Sequence, residues 1–396
     1  MIKKHKFLFR ILLLTLLLAL PAIARGVNED NNSITDKFLQ DQLNNLNIGE
    51  LELVLEDIIR GNENYYPKIS VKETILSAVK GKNPLDMNSI GKGVRRLFFN
   101  EILENLGLIS QVLIITIACS ILSNLQSTFE KDTVAQLAHY ACYIILSMLI
   151  VNSFMLALNL GRKTVGQMVN FMQIILPILL TLLTAVSGPN TRLIFHPMVI
   201  GIVNIIGSLV KDLIFPLIFF SFIIGIISNI SQKVQFSKLS ELMRQIIIGV
   251  ISASFTIFIG IITIYGIGNK VDGVTIRTAK FAVDSFVPII GKFLSDAVET
   301  VIGCSAILKN GMGIIGLVFL FFICIIPTIK IAVLIFVYKS IAALIEPIGS
   351  VNINTCFSEV SKALLLLLVG ILSVAIMFFI TITIIVETGN TALMFR

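Results

Sequence analysis

The sequence predicts an all-α, polytopic helical membrane protein. Leu106–Phe129, Val165–Ser187, Ile246–Ile267 and Ala363–Val386 carry no charged residue, and each is longer than the roughly 20 residues with which a helix crosses hydrocarbon. Charged residues make up 14% of the chain, against about 25% in soluble domains. A soluble core cannot bury so many apolar runs, so we expect helices that satisfy their own backbone hydrogen bonds within a bilayer.

The N-terminus has the pattern of a cleavable signal peptide over residues 1–24. Basic residues precede the apolar stretch Leu12–Leu20, and Ala22-Ile23-Ala24 is a small-residue cleavage motif. We expect cleavage after Ala24; an uncleaved anchor is the alternative. In both cases residues 25–105 are exported, and their three-to-four spacing of apolar residues predicts a short helical extracytoplasmic region.

Residues 106–396 form the predicted membrane domain. Two of its apolar runs are interrupted, Phe195–Ser231 at Lys211-Asp212 and Gly313–Ile345 at Pro327 and Lys330. The first is either one long tilted helix or two shorter pieces. Counting each run as two gives nine spans, with eight or seven if one is re-entrant: residues 106–126, 134–160, 165–187, 196–210, 213–230, 246–267, 313–329, 331–346 and 363–386.

Charge distribution favours two crossings by the first interrupted run. With the N-terminal region outside, two crossings place Lys233, Lys238 and Arg244 in the cytoplasm, in line with the positive-inside tendency. Residues 273–310, the longest hydrophilic stretch between spans, are predicted as an amphipathic segment on the membrane surface or against the spans. Pro288 is expected to kink or divide this segment.

Two stretches of the membrane domain resemble each other. Phe236-Ser-x-x-Ser240 and Phe357-Ser-x-x-Ser361 each lead into a span, and Gly249 matches Gly370 at the same offset. These matches predict an internal duplication, inverted on the nine-span topology, as in many transporters whose sites lie at interrupted helices. The alternative is chance similarity between apolar sequences.

Ionisable side chains inside spans cost about 2.5 kcal/mol or more at the helix centre, so each is a functional candidate. The candidates interrupt or end apolar runs, with two histidines as weaker members: Lys211, Asp212, Lys330, Glu346, His139 and His196.

Each candidate also has a structural alternative. Lys211-Asp212 is alternatively a hydrated loop between two short helices, and Lys330 a turn at the surface. Glu346-Pro347 is expected to end a helix. His196-Pro197 is expected to cap the start of its helix, and His139 to be a hydrogen-bonded histidine of the bundle rather than a ligand or proton relay.

We expect no catalytic, cofactor-binding or metal-binding residue. Gly311-Met-Gly-Ile-Ile-Gly316 has the glycine spacing of a dinucleotide motif but opens an apolar span, so its glycines are expected to allow close helix packing. The five cysteines lack metal-ligand spacing and are expected to be small hydrophobic residues. No nucleophile and base, and no basic run interleaved with aromatics, stand at convincing spacing. The sequence therefore predicts neither an enzyme nor a nucleic-acid-binding protein.

Three strings carry a resemblance that covers nearly the whole chain. They are Phe195-His-Pro197, Gly273-Val-Thr-Ile-Arg-Thr-Ala-Lys-Phe281 and Ser305-Ala-Ile-Leu-Lys-Asn310, and with the signal peptide and multi-span body they resemble the stage III sporulation protein AE family of endospore-forming bacteria. The resemblance implies a subunit of a channel, or feeding-tube apparatus, between mother cell and forespore that is needed for forespore development.

The same resemblance implies partners and a location. The partners are other proteins of the stage III sporulation A operon and a forespore-made protein. The location is the mother-cell membrane around the forespore, with the N-terminal region in the intermembrane space. A conduit-lining subunit and a non-conducting scaffold that anchors other subunits are both consistent with this family.

Overall fold

The computed structural model describes residues 48–59, 87–128, 133–187, 189–228, 236–268, 290–347 and 351–394. Nearly every residue in these ranges is helical and none is in a strand, which confirms the all-α prediction. The signal peptide with its cleavage site after Ala24, most of residues 25–105, and residues 273–289 of the amphipathic segment lie outside the described residues.

The described helices follow the apolar runs of the sequence. In chain order they are α1 Ile48–Ile59, α2 Met87–Glu104, α3 Leu106–Thr128, α4 Thr133–Ser187, α5 Pro189–Ser208, α6 Phe215–Ser228, α7 Ser237–Gly268, α8 Ile290–Ile345 and α9 Val351–Met394. A π-helical segment, Leu209–Ile214, joins α5 to α6. Among the described residues, five stretches are long and apolar enough to cross a membrane: Tyr140–Val186, Pro197–Ser228, Ser237–Ile264, Val301–Ile345 and Asn352–Thr388.

Three predicted interruptions are helical in the structure. Helix α4 continues through residues 161–164, the π-helical segment carries the chain through Lys211-Asp212, and α8 continues through Pro327 and Lys330. The hydrated loop at Lys211-Asp212 and the surface turn at Lys330 are therefore wrong as alternatives. Arginine and lysine are good helix formers, and a π-helical turn keeps a helix continuous while it absorbs a local insertion.

The nine predicted spans consequently fall on six continuous helical stretches, namely α3, α4, α5 with the π-helical segment and α6, α7, α8, and α9. Helix α4 has 55 residues, a length of about 80 Å, which far exceeds a hydrocarbon layer of about 30 Å. Helices α2 and α3 meet at Asn105 with a bend of 43°, and together they also qualify as one broken span or a re-entrant loop. The predicted boundary between the exported region and the membrane domain coincides with this bend.

The helix ends test two further expectations. Helix α8 ends at Ile345 and is followed by a turn at Glu346-Pro347, so that prediction is confirmed. His196-Pro197 does not start a helix, because α5 begins at Pro189 and Pro197 lies inside it. His139 lies near the start of α4, and the side chains of both histidines fall outside the described part of the chain.

The long helices α4, α8 and α9 form the centre of the bundle. Helices α8 and α9 run antiparallel, and Gly313 stands directly against the side chain of Val386. A β-carbon at Gly316 would lie 3.0 Å from Ile175 Cδ1 of α4 and 3.4 Å from Ile382 Cδ1 of α9. The expectation that these glycines permit close helix packing is confirmed.

Helix α4 also runs antiparallel to α5 and α6. Its C-terminal half packs against α5, where Gln173 hydrogen-bonds Asn204 and Gly207 stands against Val169. Its N-terminal half packs against α6, where the Phe154 and Phe222 rings have centroids 4.2 Å apart. These contacts fix which residues of different helices lie at the same level.

Candidate functional site: a charged layer and a polar seam

The charged residues that interrupt the apolar runs lie at one level of the bundle. A β-carbon at Gly161 would lie 3.5 Å from Phe215 Cε2 and 3.1 Å from Leu367 Cδ1, so the Arg162-Lys163 pair is level with Lys211-Asp212 and with the middle of α9. We refer to six residues at this level as the charged layer: Glu101, Arg162, Lys163, Lys211, Asp212 and Lys330.

Lys330 joins the charged layer through an ion pair. The α8–α9 contacts Gly316–Ile382 and Tyr338–Phe357 bracket it and set it opposite about residue 366 of α9. Its Nζ lies 3.2 Å from Glu101 Oε2 of α2. The Asn105 amide donates to the Glu101 carbonyl oxygen at 2.8 Å. Lys330 therefore ties the bent α2–α3 element to the centre of the bundle.

A band without charged residues begins at the charged layer. It comprises Thr164–Ser187 of α4, Pro197–Val210 of α5 and the π-helical segment, Asn310–Ile329 of α8, and Ala363–Val386 of α9. At its far end the buried Lys309 Nζ donates to the Val386 carbonyl oxygen at 2.7 Å. From Lys309 to Lys330 helix α8 rises about 30 Å, the thickness of a bilayer's hydrocarbon core.

Uncharged polar side chains line the outer surface of this charge-free band where α4 and α5 meet. Gln167, Asn170 and Gln173 recur at three-residue intervals on α4, and Asn204 and Ser208 lie on the facing part of α5. We refer to these five residues as the polar seam. All of them are exposed or half-buried, whereas the faces of α4 and α5 that pack against the bundle are apolar.

The seam is only partly satisfied by its own hydrogen bonds. Gln173 Nε2 donates to Asn204 Oδ1 at 2.6 Å. Within the part of the chain that the structure describes, no side-chain partner is found for Gln167, Asn170 or Ser208. Amides and hydroxyls without partners are costly to expose to lipid tails, so this surface is suited to water or to polar groups of another protein.

The seam leads into the charged layer. Lys163 lies one turn before Gln167 on the same face of α4, and Lys211 and Asp212 come shortly after Ser208, in the π-helical segment. The side chains of Lys163 and Asp212 are exposed and Lys211 is half-buried. Lys211 and Asp212 are therefore the sequence-predicted candidates that the structure joins to a larger polar surface. They lie in a π-helical turn, and such turns often occur at functional sites.

A second charged cluster lies between α6, α7 and α9. Arg244 of α7 pairs with Glu359 of α9 through its guanidinium, and Lys362 Nζ lies 3.1 Å from Glu359 Oε1. Arg244 and Glu359 are only 15% and 11% exposed. Gly225 of α6 leaves the room that the carboxylate occupies, since a β-carbon there would lie 2.5 Å from Glu359 Oε2.

Hydroxyl groups reinforce the same helix junction. Ser240 Oγ donates to the Ser221 carbonyl oxygen at 2.9 Å, and Ser221 Oγ donates to the Ser240 carbonyl oxygen at 3.1 Å. Ser240 and Glu359 belong to the two stretches that the sequence predicts as duplicated. The duplication itself stays a prediction, but its two stretches contact each other directly.

The structure brings only some of the sequence candidates together. Lys211, Asp212 and Lys330 share the charged layer, while Glu346 is exposed at the end of α8. Sequence reasoning missed the polar seam because it considered only ionisable groups. The regular spacing of Gln167, Asn170 and Gln173 inside a charge-free run was a signal that could have identified it.

It also missed the Arg244–Glu359 pair. These residues are 115 positions apart, and no local pattern relates them. All five cysteines are free and buried or half-buried, as expected. Among the described residues no group of His, Cys, Asp or Glu is arranged to hold a metal ion.

Long apolar helices with charges held at one level define a multi-pass helical membrane protein. The chain belongs to the stage III sporulation protein AE family, whose model matches residues 69–389. It is 32% identical over 328 residues to the stage III sporulation protein AE of Bacillus subtilis (strain 168), an alignment that covers 83% of this chain and 82% of that protein. No solved structure matches it.

Proposed function

We propose that this protein is an integral membrane subunit of the channel complex that joins mother cell and forespore, and that the polar seam lines part of its conduit. The observation that carries the proposal is that Gln167, Asn170 and Ser208 lie on the surface of the charge-free band with no side-chain partner among the residues that the structure describes. Lipid tails cannot satisfy these groups, whereas water in a conduit can. The protein then acts by providing a passage and not by catalysis.

The family relationship supports the setting of this function. The matched family takes part in sporulation, and we propose that the chain lies in the mother-cell membrane around the forespore. Its partners are then the other proteins of the stage III sporulation A operon and a forespore-side protein. The exported N-terminal region lies in the intermembrane space in this proposal, on the side to which α2 connects.

Cysteine labelling tests whether the seam is wet. Asn170→Cys, at the middle of the seam, is expected to react with a membrane-impermeant maleimide in intact membranes. The matched control is Ile257→Cys on α7, whose side chain is 63% exposed but has an apolar surface around it. It should stay unreactive until detergent is added. Equal and low reactivity at both positions would contradict a conduit along the seam.

A non-conducting scaffold is the second candidate, and one observation favours it. The ion pairs Lys330–Glu101 and Arg244–Glu359 are satisfied within the chain, so these charges connect helices and need not contact cargo. The scaffold predicts that Asn170→Leu and Ser208→Leu leave sporulation unchanged at normal protein level. The conduit predicts that both variants reduce the number of mature spores.

A further inference from the structure

The polar seam has the chemistry to bind its own counterpart, and we propose that its occupant is the seam of a second copy of this chain. The inference deepens the proposed function, since both place the seam within the bilayer, and it states that the conduit is built between copies rather than inside one.

Helices α4 and α5 present the seam on one continuous face. The hydrogen bond from Gln173 to Asn204 and the close contact of Gly207 with Val169 hold the two helices side by side and antiparallel. Asn170 comes directly after Val169 on α4, and Ser208 comes directly after Gly207 on α5. Because the two helices are antiparallel, both side chains therefore point to the same side of the contact. Their side chains are exposed, so a neighbouring helix pair can reach them.

The hydrogen-bonding groups on this face are self-complementary. Each amide of Gln167 and Asn170 offers both a donor and an acceptor, and the Ser208 hydroxyl does the same. Polar side chains of this kind hydrogen-bond across membrane helices. Homo-oligomers form around rotation axes, and an axis along the bilayer normal brings residues of equal depth together. The amides of the two copies then stand at equal depth on either side of the axis, where they hydrogen-bond directly or through water in the conduit between them.

The charged end of the seam is also self-complementary. Lys211 and Asp212 are adjacent, and no ion pair to either is found within the ranges that the structure describes. At equal depth in two copies, Lys211 of one chain stands near Asp212 of the other. Opposite charges at this level favour the pairing, while a partner with a single sign of charge would leave one of the two residues uncompensated.

Disulfide cross-linking of the full-length protein in native membranes tests the inference. Asn170→Cys and Ser208→Cys, co-expressed and oxidised, are expected to give a covalent dimer of this chain. Ile257→Cys, the exposed apolar control on α7, is expected to stay monomeric. A cross-link to a different protein, or no cross-link at either seam position in protein of normal abundance, would overturn the second copy as the occupant.

Charge complementation gives an independent test. In the Lys211→Asp variant residues 211 and 212 are both acidic, and in the Asp212→Lys variant both are basic. Each variant alone, in the cross-linking background, is expected to lose dimer at least several-fold through like-charge repulsion. Co-expression of the two variants should restore dimer, because the acidic copy then meets the basic copy. Failure of the mixture to recover, with both proteins present at normal level, would count against pairing at this depth.

The outcomes separate this inference from the proposed function. If the seam cysteines cross-link but Asn170→Cys does not react with the aqueous maleimide, the second copy is supported and the conduit is refuted. Reactivity without cross-linking would support the conduit and refute the second copy.

Discussion

Removing one member of the Arg244–Glu359 pair is expected to destabilise the helix bundle strongly. The two side chains are 15% and 11% exposed, so Glu359→Leu leaves a guanidinium in a largely apolar setting. Breaking a buried ion pair by removing one partner costs about 3 to 5 kcal/mol. Lys362 is 53% exposed and is expected to add little, because solvent screens its interaction.

Replacing both partners by apolar residues gives the opposite expectation. Arg244→Met together with Glu359→Leu leaves no uncompensated charge, and such exchanges are often neutral or stabilising. The double variant should therefore be more stable than either single variant. This non-additivity is the signature of a direct interaction.

Thermal unfolding of the purified protein in detergent measures the effect. At about 2 °C per kcal/mol, the lower end of the range for domains of ordinary size, each single variant should lose about 6 °C or more in Tm. Lys238 and Glu241 on the same helix supply the control, since this i,i+3 pair is 96% and 53% exposed. Its replacement by the same two residue types should change Tm by about 2 °C or less.

The result that would refute the reasoning is additive behaviour. If the double variant lost the sum of the two single losses, the residues would act separately and the pair would not connect α7 to α9. Gly225→Ala offers a further check without altering a charge. Its β-carbon would meet the Glu359 carboxylate at 2.5 Å, so the carboxylate must move and Tm is expected to fall by a few degrees.

Three further predictions follow from the packing and the helix order. Gly316→Val is expected to lower Tm, since the added side chain overlaps α4 and α9, whereas Gly249→Val, with open space around its α-carbon, should have little effect. Ala185→Cys and Ser237→Cys should react with impermeant reagents from opposite sides of the membrane, because α5, the π-helical segment and α6 form one continuous helix between them and cross it once. Reaction from the same side would support nine spans instead. Lys330→Met should speed amide exchange in α2 at least several-fold, because it leaves the Glu101 carboxylate, 13% exposed, without its ion-pair partner, and unchanged exchange there would show that the pair does not hold α2.

The class of the fold was readable from the sequence because the bilayer imposes a local rule. A charge-free run of more than about 20 residues is rarely anything other than a membrane helix in a folded protein. The runs that end at Ser187 and Val386 meet that rule without reference to any other part of the chain. Glycine spacing in Gly311–Gly316 was readable for a similar reason. An apolar helix presents small residues where another helix comes close.

Helix continuity and depth were decided by tertiary packing. Lys211-Asp212 and Lys330 are compatible with a loop, a turn or an uninterrupted helix, and the packing of the flanking segments decides between them. Lys330 has Glu101 of α2, and Arg244 has Glu359 of α9, partners that no local sequence pattern indicates.

The sequence alone therefore determined that this is an all-α membrane protein, since the solvent of each apolar run is a property of that run. Only the tertiary structure decided that the charges interrupting its apolar runs lie at one depth and that its amides form a seam. Depth and facing are relations between helices, and they arise from contacts such as Gln173 with Asn204, which form only when distant parts of the chain pack together.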